Sequence, residues 1–359
     1  MDQVATWARE ELETLFLDSA ERLPHLPPAL IEKDFWVCWL LRRLFILDQE
    51  VPMIFKGGTS ISKAYPVIRR FSEDIDLSLD RAELGYGAGE LDAASSRKAL
   101  KQLLQKLRAD CNGYVNGPLL EALRESIGSV LGPSGGSGEA ARWDLLQSAD
   151  RESLLFVYPQ TAVTLERGGY VAPDIRLEFG ARADHWPAED RSISAYAAQA
   201  FPEAFEIRAF PVRTLEVART FWEKATILHA LANGGAEKVA PRMARHYYDV
   251  VLLADSPESA HSVDATELLE VVALHKTRFF PASWASYETA RVGSLRLAPP
   301  PAVQRMVEKD YNDMAALFME EPPPFGRLVE RLGQLESDIN HSAPPPAPPS
   351  RTRTRGKLR

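Results

Sequence analysis

Cysteine is nearly absent: Cys38 and Cys111 are the two in 359 residues. A pair of thiols makes neither a disulfide framework nor a cysteine zinc cluster, and Cys38, inside an apolar helical pattern, reads as a small core residue. The seven histidines show no ligand spacing, and no His-Glu-x-x-His occurs. Nothing approaches the ~18 uninterrupted apolar residues of a membrane span. Met1-Asp2-Gln3 is not basic and no long apolar core follows, so no signal peptide is expected and the protein should be soluble and cytoplasmic. The chain has no internal repeat. Positive charge is short overall, with a net charge of −8. Five positive charges (Arg351, Arg353, Arg355, Lys357 and Arg359) fall in the last nine residues, which leaves residues 1–350 at −13. Such an acidic body argues against sequence-blind coating of nucleic acid and leaves room for one local basic groove. A 45% hydrophobic content is ordinary for a globular protein, and the length allows one large or two modest domains.

What is present concentrates in residues 51–80, VPMIFKGGTSISKAYPVIRRFSEDIDLSLD. Residues 51–55 are apolar and partly β-branched, which suits a short buried strand. Gly57-Gly58 removes side chains where the backbone turns and a ligand approaches closely. Thr59 or Ser60 is placed to cap the following helix, whose first-turn N–H groups attract phosphate. Lys56 and Lys63 add positive charge, and Ser72 joins them in the expected nucleotide-binding set. The Gly-x4-Gly-Lys-[Ser/Thr] spacing of a Walker A loop is absent. Pro66 implies that the helix is short or kinked. In a strand from residue 74, Asp74, Asp76 and Ser78 share one face while Ile75, Leu77 and Leu79 share the other. Adjacent carboxylates repel, and a divalent cation relieves that repulsion. Mg²⁺ favours a couple of carboxylates with phosphate oxygens and water, and two such ions suit attack by a hydroxyl with departure of pyrophosphate. Alone, an Asp-x-Asp is common on strand edges and a Gly-Gly is usually a turn. Together, in the order strand, glycines, helix, Asp-x-Asp, they point to a nucleotidyl-transfer site.

Helices are expected over residues 2–18, 31–47, 92–111 and 117–131. Strands are expected at 154–158, 162–165, 174–179 and 205–212, with a turn at Gly168-Gly169. Helical spacing returns from 215 to Asn233-Gly234-Gly235, again from 245, and in two or three helices over 264–340. Residues 132–138 read as a flexible linker and 342–359 as an extended, disordered proline-rich and basic tail. Four regions follow: N-terminal helices (1–50), a core (51–214) with a helical insertion at about 84–150, a helical lobe (215–340), and the tail (341–359). His246, Tyr247 and Tyr248 offer either a stacking surface for a base or, more often for tyrosine, buried rings.

FKGGTSISKAYPVIRRFSEDIDLSL resembles the signature of the AbiEii/AbiGii toxin family, a group that includes the MenT toxins. These are minimal nucleotidyltransferases of the DNA polymerase β superfamily from type IV-like toxin–antitoxin and abortive-infection systems. The similarity is dense over 54–79 and thinner at 31–36, 174–182, 220–229 and 245–253. It implies an α+β fold: a polymerase β-like core of a small mixed sheet with flanking helices, closed by a helical C-terminal lobe. It implies a third acid on a neighbouring strand, Glu178 first and Asp174 second. A surface pairing of Arg176 with Glu178 is the plain alternative. It also implies that Lys224 and Asp249 face the site, Lys224 towards nucleotide phosphate and Asp249 orienting Lys224 or Arg245 or acting near the acceptor. The alternative there is an interhelix salt bridge. The expected enzyme is a Mg²⁺-dependent nucleotidyltransferase holding two ions on Asp74, Asp76 and Glu178. It would move NMP from an NTP to the 3′ end of tRNA and block translation, with a cognate antitoxin as partner. Transfer to a protein side chain and a silent nucleotide- or antitoxin-binding module remain the rivals.

Overall fold

The computed structural model describes residues 1–72, 74–92, 94–135, 143–149, 151–165 and 174–342. The Gly168-Gly169 turn, residues 136–138 of the 132–138 linker and the tail from 343 lie outside them. Seven strands form one mixed sheet: β1 (Met53–Lys56), β2 (Ile75–Leu79), β3 (Asp144–Gln147), β4 (Ser153–Val157), β5 (Asp174–Gly180), β6 (Ala188–Ile193) and β7 (Phe210–Leu215). Their spatial order is β3-β4-β5-β2-β1-β7-β6. β1 runs antiparallel to β2 and parallel to β7, and β2 runs parallel to β5. The fold is α+β, as the sequence implied.

Alternation decides which face each central strand buries. Ile75, Leu77 and Leu79 are at most 1% exposed, and Ile175 and Leu177 are fully buried. They form the apolar face, so Asp76 and Glu178 take the other. The Pro28–Ile46 helix starts on a proline at its first turn and packs against β5 and β7. Its Trp36 and Trp39 rings meet Phe156 of β4 at 6.2 and 6.0 Å. The polar residues of this helix are used as stitches. Glu32 accepts from the Thr161 backbone and hydroxyl, and Asp34 accepts from the Tyr196 N–H at 2.7 Å.

Helices Val217–Gly234, Ala244–Asp255, Thr266–Phe279, Pro301–Asp313 and Phe325–His341 build the C-terminal part. The first packs on the second and third, and also touches the short Gly57–Lys63 helix beside the glycine turn. A second link runs through backbone: Phe71 N–H donates to the Leu317 carbonyl at 2.7 Å and Met319 N–H to the Arg69 carbonyl at 3.0 Å. Several boundaries differ from expectation. Residues 2–18 divide into helices Asp2–Ala5 and Arg9–Arg22, and residues 162–165 form a helical turn, not a strand. The last strand is Phe210–Leu215, and β3 and β6 were not foreseen. β-branched residues drew the 162–165 misreading, and β6 (AEDRSI) is too polar to announce itself by alternation.

Candidate active site

Three neighbouring strands bring one row of side chains together. Lys56 on β1 is the cross-strand partner of Asp76 on β2, and Asp76 is the partner of Glu178 on β5. Adjacent strands lie about 4.8 Å apart, and register partners project to the same face. Glu178, not Asp174, therefore stands beside Asp76. Asp174 is four residues back along β5, about 13 Å, opposite Val157. Asp74 lies just before β2, where its carbonyl accepts a short hydrogen bond from Thr59 Oγ1. Arg176, the alternative partner for Glu178, donates instead to Ser153 Oγ at 3.3 Å.

Burial raises the pKa of the Glu178 carboxyl, and the charges of Asp76 and then Asp74 raise it further. Arg176 and Arg245 oppose the rise without cancelling it. Glu178 thus shares its surroundings with two like charges, and the all-oxygen donor set of the three suits a hard divalent cation. Among the described residues, no group of three or more His, Cys, Asp or Glu is already drawn together at metal-holding distance.

The glycine turn is shaped around these acids. Gly57 has φ +82°, and a methyl group on it would lie 2.0 Å from Asp76 Oδ2. A methyl on Gly58 would lie 2.8 Å from Ser72 Oγ and 2.9 Å from Arg70 Nη2. Gly57→Ala is therefore expected to strain the turn by roughly 1–3 kcal/mol and to push Asp76 aside. Kinetics and a thermal melt on the same variant check both effects; wild-type values in both would exclude a tight fit here.

The hydroxyls nearby do not cap the helix. Lys56 occupies the N-cap position without a side-chain cap bond, and the helix begins at Gly57. Thr59 Oγ1 also contacts Ser72 Oγ at 3.0 Å, and Ser60 Oγ donates to the Gly57 carbonyl at 2.9 Å. Both side chains are buried; Thr59 ties the turn to the Asp74 segment, and Ser60 closes the turn on itself. Ser72 is half-buried at the edge of the same turn.

Lys63 corrects the expected phosphate set. Its Nζ lies 2.6 Å from Asp34 Oδ1 with both side chains buried, and 3.8 Å above the Tyr196 ring. Burial disfavours this ammonium, but Asp34 outweighs it and raises the Lys63 pKa. The charge is committed to a core pair far along the chain, which local spacing does not disclose. Lys63→Met should cost about 3–5 kcal/mol by stranding Asp34 while leaving the KM for nucleotide in place. A urea titration beside steady-state kinetics separates the two.

Lys224 and Asp249 do meet, at 2.9 Å between Nζ and Oδ2, so the interhelix pair is real. It belongs to a larger cluster. Arg70 grips Asp249 with both arms, Nε to Oδ1 and Nη2 to Oδ2, each at 2.7 Å. Burial opposes the Asp249 charge, yet Arg70 and Lys224 hold its carboxyl well below the usual range. Lys224 is pushed down by burial, with Asp249 working against the shift and Arg70 adding to it. Arg70 was not singled out in the sequence, although it lies beneath Gly58 and its charge reaches Asp76. It sits in an irregular segment with no period to mark it. His246, Tyr247 and Tyr248 are all buried, with Tyr248 packed on Phe318 at 5.0 Å, so they offer no open stacking surface.

A mixed sheet that sets two aspartates and a neighbouring glutamate against a glycine turn, with helices closing over it, is the frame of a nucleotidyltransferase. The family described as nucleotidyl transferase AbiEii toxin, type IV TA system, matches residues 39–332; the chain belongs to this family. Among solved structures the chain is similar to MenT4, a nucleotidyltransferase toxin from Mycobacterium tuberculosis H37Rv, at 14% identity and a TM-score of 0.34, over 93% of this chain and 97% of that one. No curated protein matches. Among the described residues, no helix is long and apolar enough to cross a membrane.

Proposed function

We propose that the protein transfers a nucleoside monophosphate from an NTP to an acceptor hydroxyl, the 3′ end of tRNA, and so arrests translation in the cytoplasm until its antitoxin intervenes. The observation that carries the chemistry is the register of Asp76 with Glu178, together with the bare Gly57 backbone against the Asp76 carboxylate. The antitoxin rests on family membership, and the tRNA acceptor on what the resemblance of residues 54–79 implies.

Asp74 and Asp76, with Glu178 as the third acid, are the residues that would hold Mg²⁺. Bound there, divalent ions supply a more acidic acceptor hydroxyl and charge neutralisation on the departing pyrophosphate. The chain's own groups do the rest. Gly57 and Gly58 let the phosphate chain lie against backbone. Lys56 and Lys224 offset its charge, and Asp249 with Arg70 fixes where Lys224 stands. Thr59, Ser60 and Ser72 keep the turn in place. Residues 51–214 act as the catalytic unit, and residues 215–340 close the cleft from the other side.

The test is incubation with each labelled NTP, Mg²⁺, total tRNA and total protein. Label on tRNA is expected. Label on a protein would move the acceptor to a side chain, and NTP binding with no labelling would leave only a silent module.

A further inference from the structure

The Thr266–Phe279 helix has no part in the assignments above, yet its final turn is built into the site. Lys276 Nζ lies 3.4 Å from the Glu223 carbonyl, on the helix that carries Lys224. The end of the Lys276 helix is pinned from the sheet. Arg182 Nη1 donates to the Phe279 carbonyl at 3.4 Å, and His275 Nε2 is 2.9 Å from the Arg182 carbonyl. The guanidiniums of Arg81 and Arg182 cover the rings of Phe279 and Phe280 at 4.7 and 4.6 Å. Arg81 follows β2 and Arg182 follows β5, so the strands that carry Asp76 and Glu178 also position Lys276.

The charges facing Lys276 come from two further elements. Lys56 reaches it from the end of β1; Arg219 and Lys224 reach it from the Val217–Gly234 helix, along with one acid, Glu223. Arg219 is fully buried: Nη1 donates to the Trp186 carbonyl at 3.0 Å, Nε lies 3.5 Å from Glu223, and Nη2 has no hydrogen-bond partner. Glu223 is thus shared; Arg219 Nη1 also lies 3.6 Å from Asp184 Oδ2 and Lys224 is paired with Asp249, so the positive charge left to meet Lys276 is chiefly that of Lys56. Lys276 is intermediate in exposure, neither sealed in the core nor open to solvent. Burial first, and then Lys56, Arg219 and Lys224 against the one opposing Glu223, push the Lys276 ammonium down to about 8. A convergence of cations around one half-buried lysine, beside a row of acids, suits a ligand with several negative charges close together.

We propose that Lys276 binds the phosphate chain of the nucleotide, reaching over from the Thr266–Phe279 helix while Lys56 and Lys224 approach from the other sides. This rests on the nucleotidyltransferase reading of the same site and adds a residue to it. It also makes that helix a wall of the nucleotide pocket.

The experiment measures equilibrium binding of inorganic tripolyphosphate, the four NTPs and their monophosphates to wild type, Lys276→Met and Lys276→Arg. The Met variant keeps the packing of the stem. It is expected to bind tripolyphosphate and NTPs about tenfold or more weakly, with monophosphate binding unchanged within about twofold. The Arg variant should retain most of the affinity. Wild-type affinity for tripolyphosphate should weaken, relative to the Arg variant, as pH rises through about 8, because lysine discharges there and arginine does not. Wild-type triphosphate binding by Lys276→Met would overturn the assignment. So would equal losses for mono- and triphosphates with a lowered melting temperature, the mark of a structural prop. Asp76→Ala run in parallel keeps the two claims apart. If it abolishes labelling while Lys276→Met binds normally, only the Lys276 assignment falls. If wild type neither binds an NTP nor labels an acceptor, the underlying reading falls and takes Lys276 with it.

Discussion

Asp76→Ala is expected to abolish nucleotide transfer, by on the order of 10³-fold or more, since several kcal/mol of transition-state stabilisation depend on a metal-holding carboxylate. The melting temperature should stay level or rise. Asp76 is half-buried next to a like charge, Glu178, on the neighbouring strand, so its removal relieves repulsion. The same variant carries a second signature that does not depend on turnover. Glu178 is raised by burial and next by Asp76, so its pKa should move down towards the ordinary carboxylate value. An NMR titration of the Glu178 side chain reads this directly. Undiminished labelling would remove Asp76 from the chemistry, and an unmoved Glu178 would remove it from the charge cluster.

Asp249→Asn is expected to produce the largest loss of stability, about 3–5 kcal/mol, because it strands Arg70 and Lys224 in the interior without their carboxylate. The pH dependence has a definite sign. A carboxyl held far below its usual range in the folded state stabilises fully above the unfolded value of about 3.9 and loses that contribution as pH falls towards the folded value. Wild type and variant should therefore differ most near neutrality and converge in strong acid, in urea titrations at pH 7 and pH 3. Replacing Arg70 and Lys224 by Met together with Asp249→Leu should recover much of the stability, since apolar packing often substitutes for a buried ionic cluster. It should not recover transfer. Restored activity in that variant would mean the three charges serve the fold alone.

The parts of this site that were legible in the sequence are those made by neighbours in the chain. Gly57-Gly58 followed by Asp74 and Asp76 is short-range, and strand alternation alone puts Ile75 and Leu77 on one face and Asp76 on the other. Glu178 came through family resemblance, because alternation about Ile175 and Leu177 puts Asp174 on the same face and nothing local said that β5 would lie beside β2. Lys224 and Asp249 came only through family resemblance. Residues placed by distant partners escaped. Arg70 has meaning only once Asp249, 179 residues away, is beside it. Lys63 looked like a phosphate ligand until Asp34 claimed it. Lys276 sits in an ordinary amphipathic helix whose address is set by Arg81 and Arg182. Two strands escaped altogether: β3 is four residues long, and β6 (AEDRSI) is too polar to alternate.

The clasp of Arg70 on Asp249 also sets an order of events during synthesis. The glycine turn and both aspartates leave the ribosome early, whereas Asp249, Lys276 and the Leu317–Met319 stretch that pairs with the segment around Arg70 come in the last third of the polypeptide. Until they arrive, Arg70 has no counter-charge and the phosphate side of the cleft has no wall. A chain that stops before Asp249 is therefore expected to lack the counter-charge of Arg70 and, with it, transferase activity.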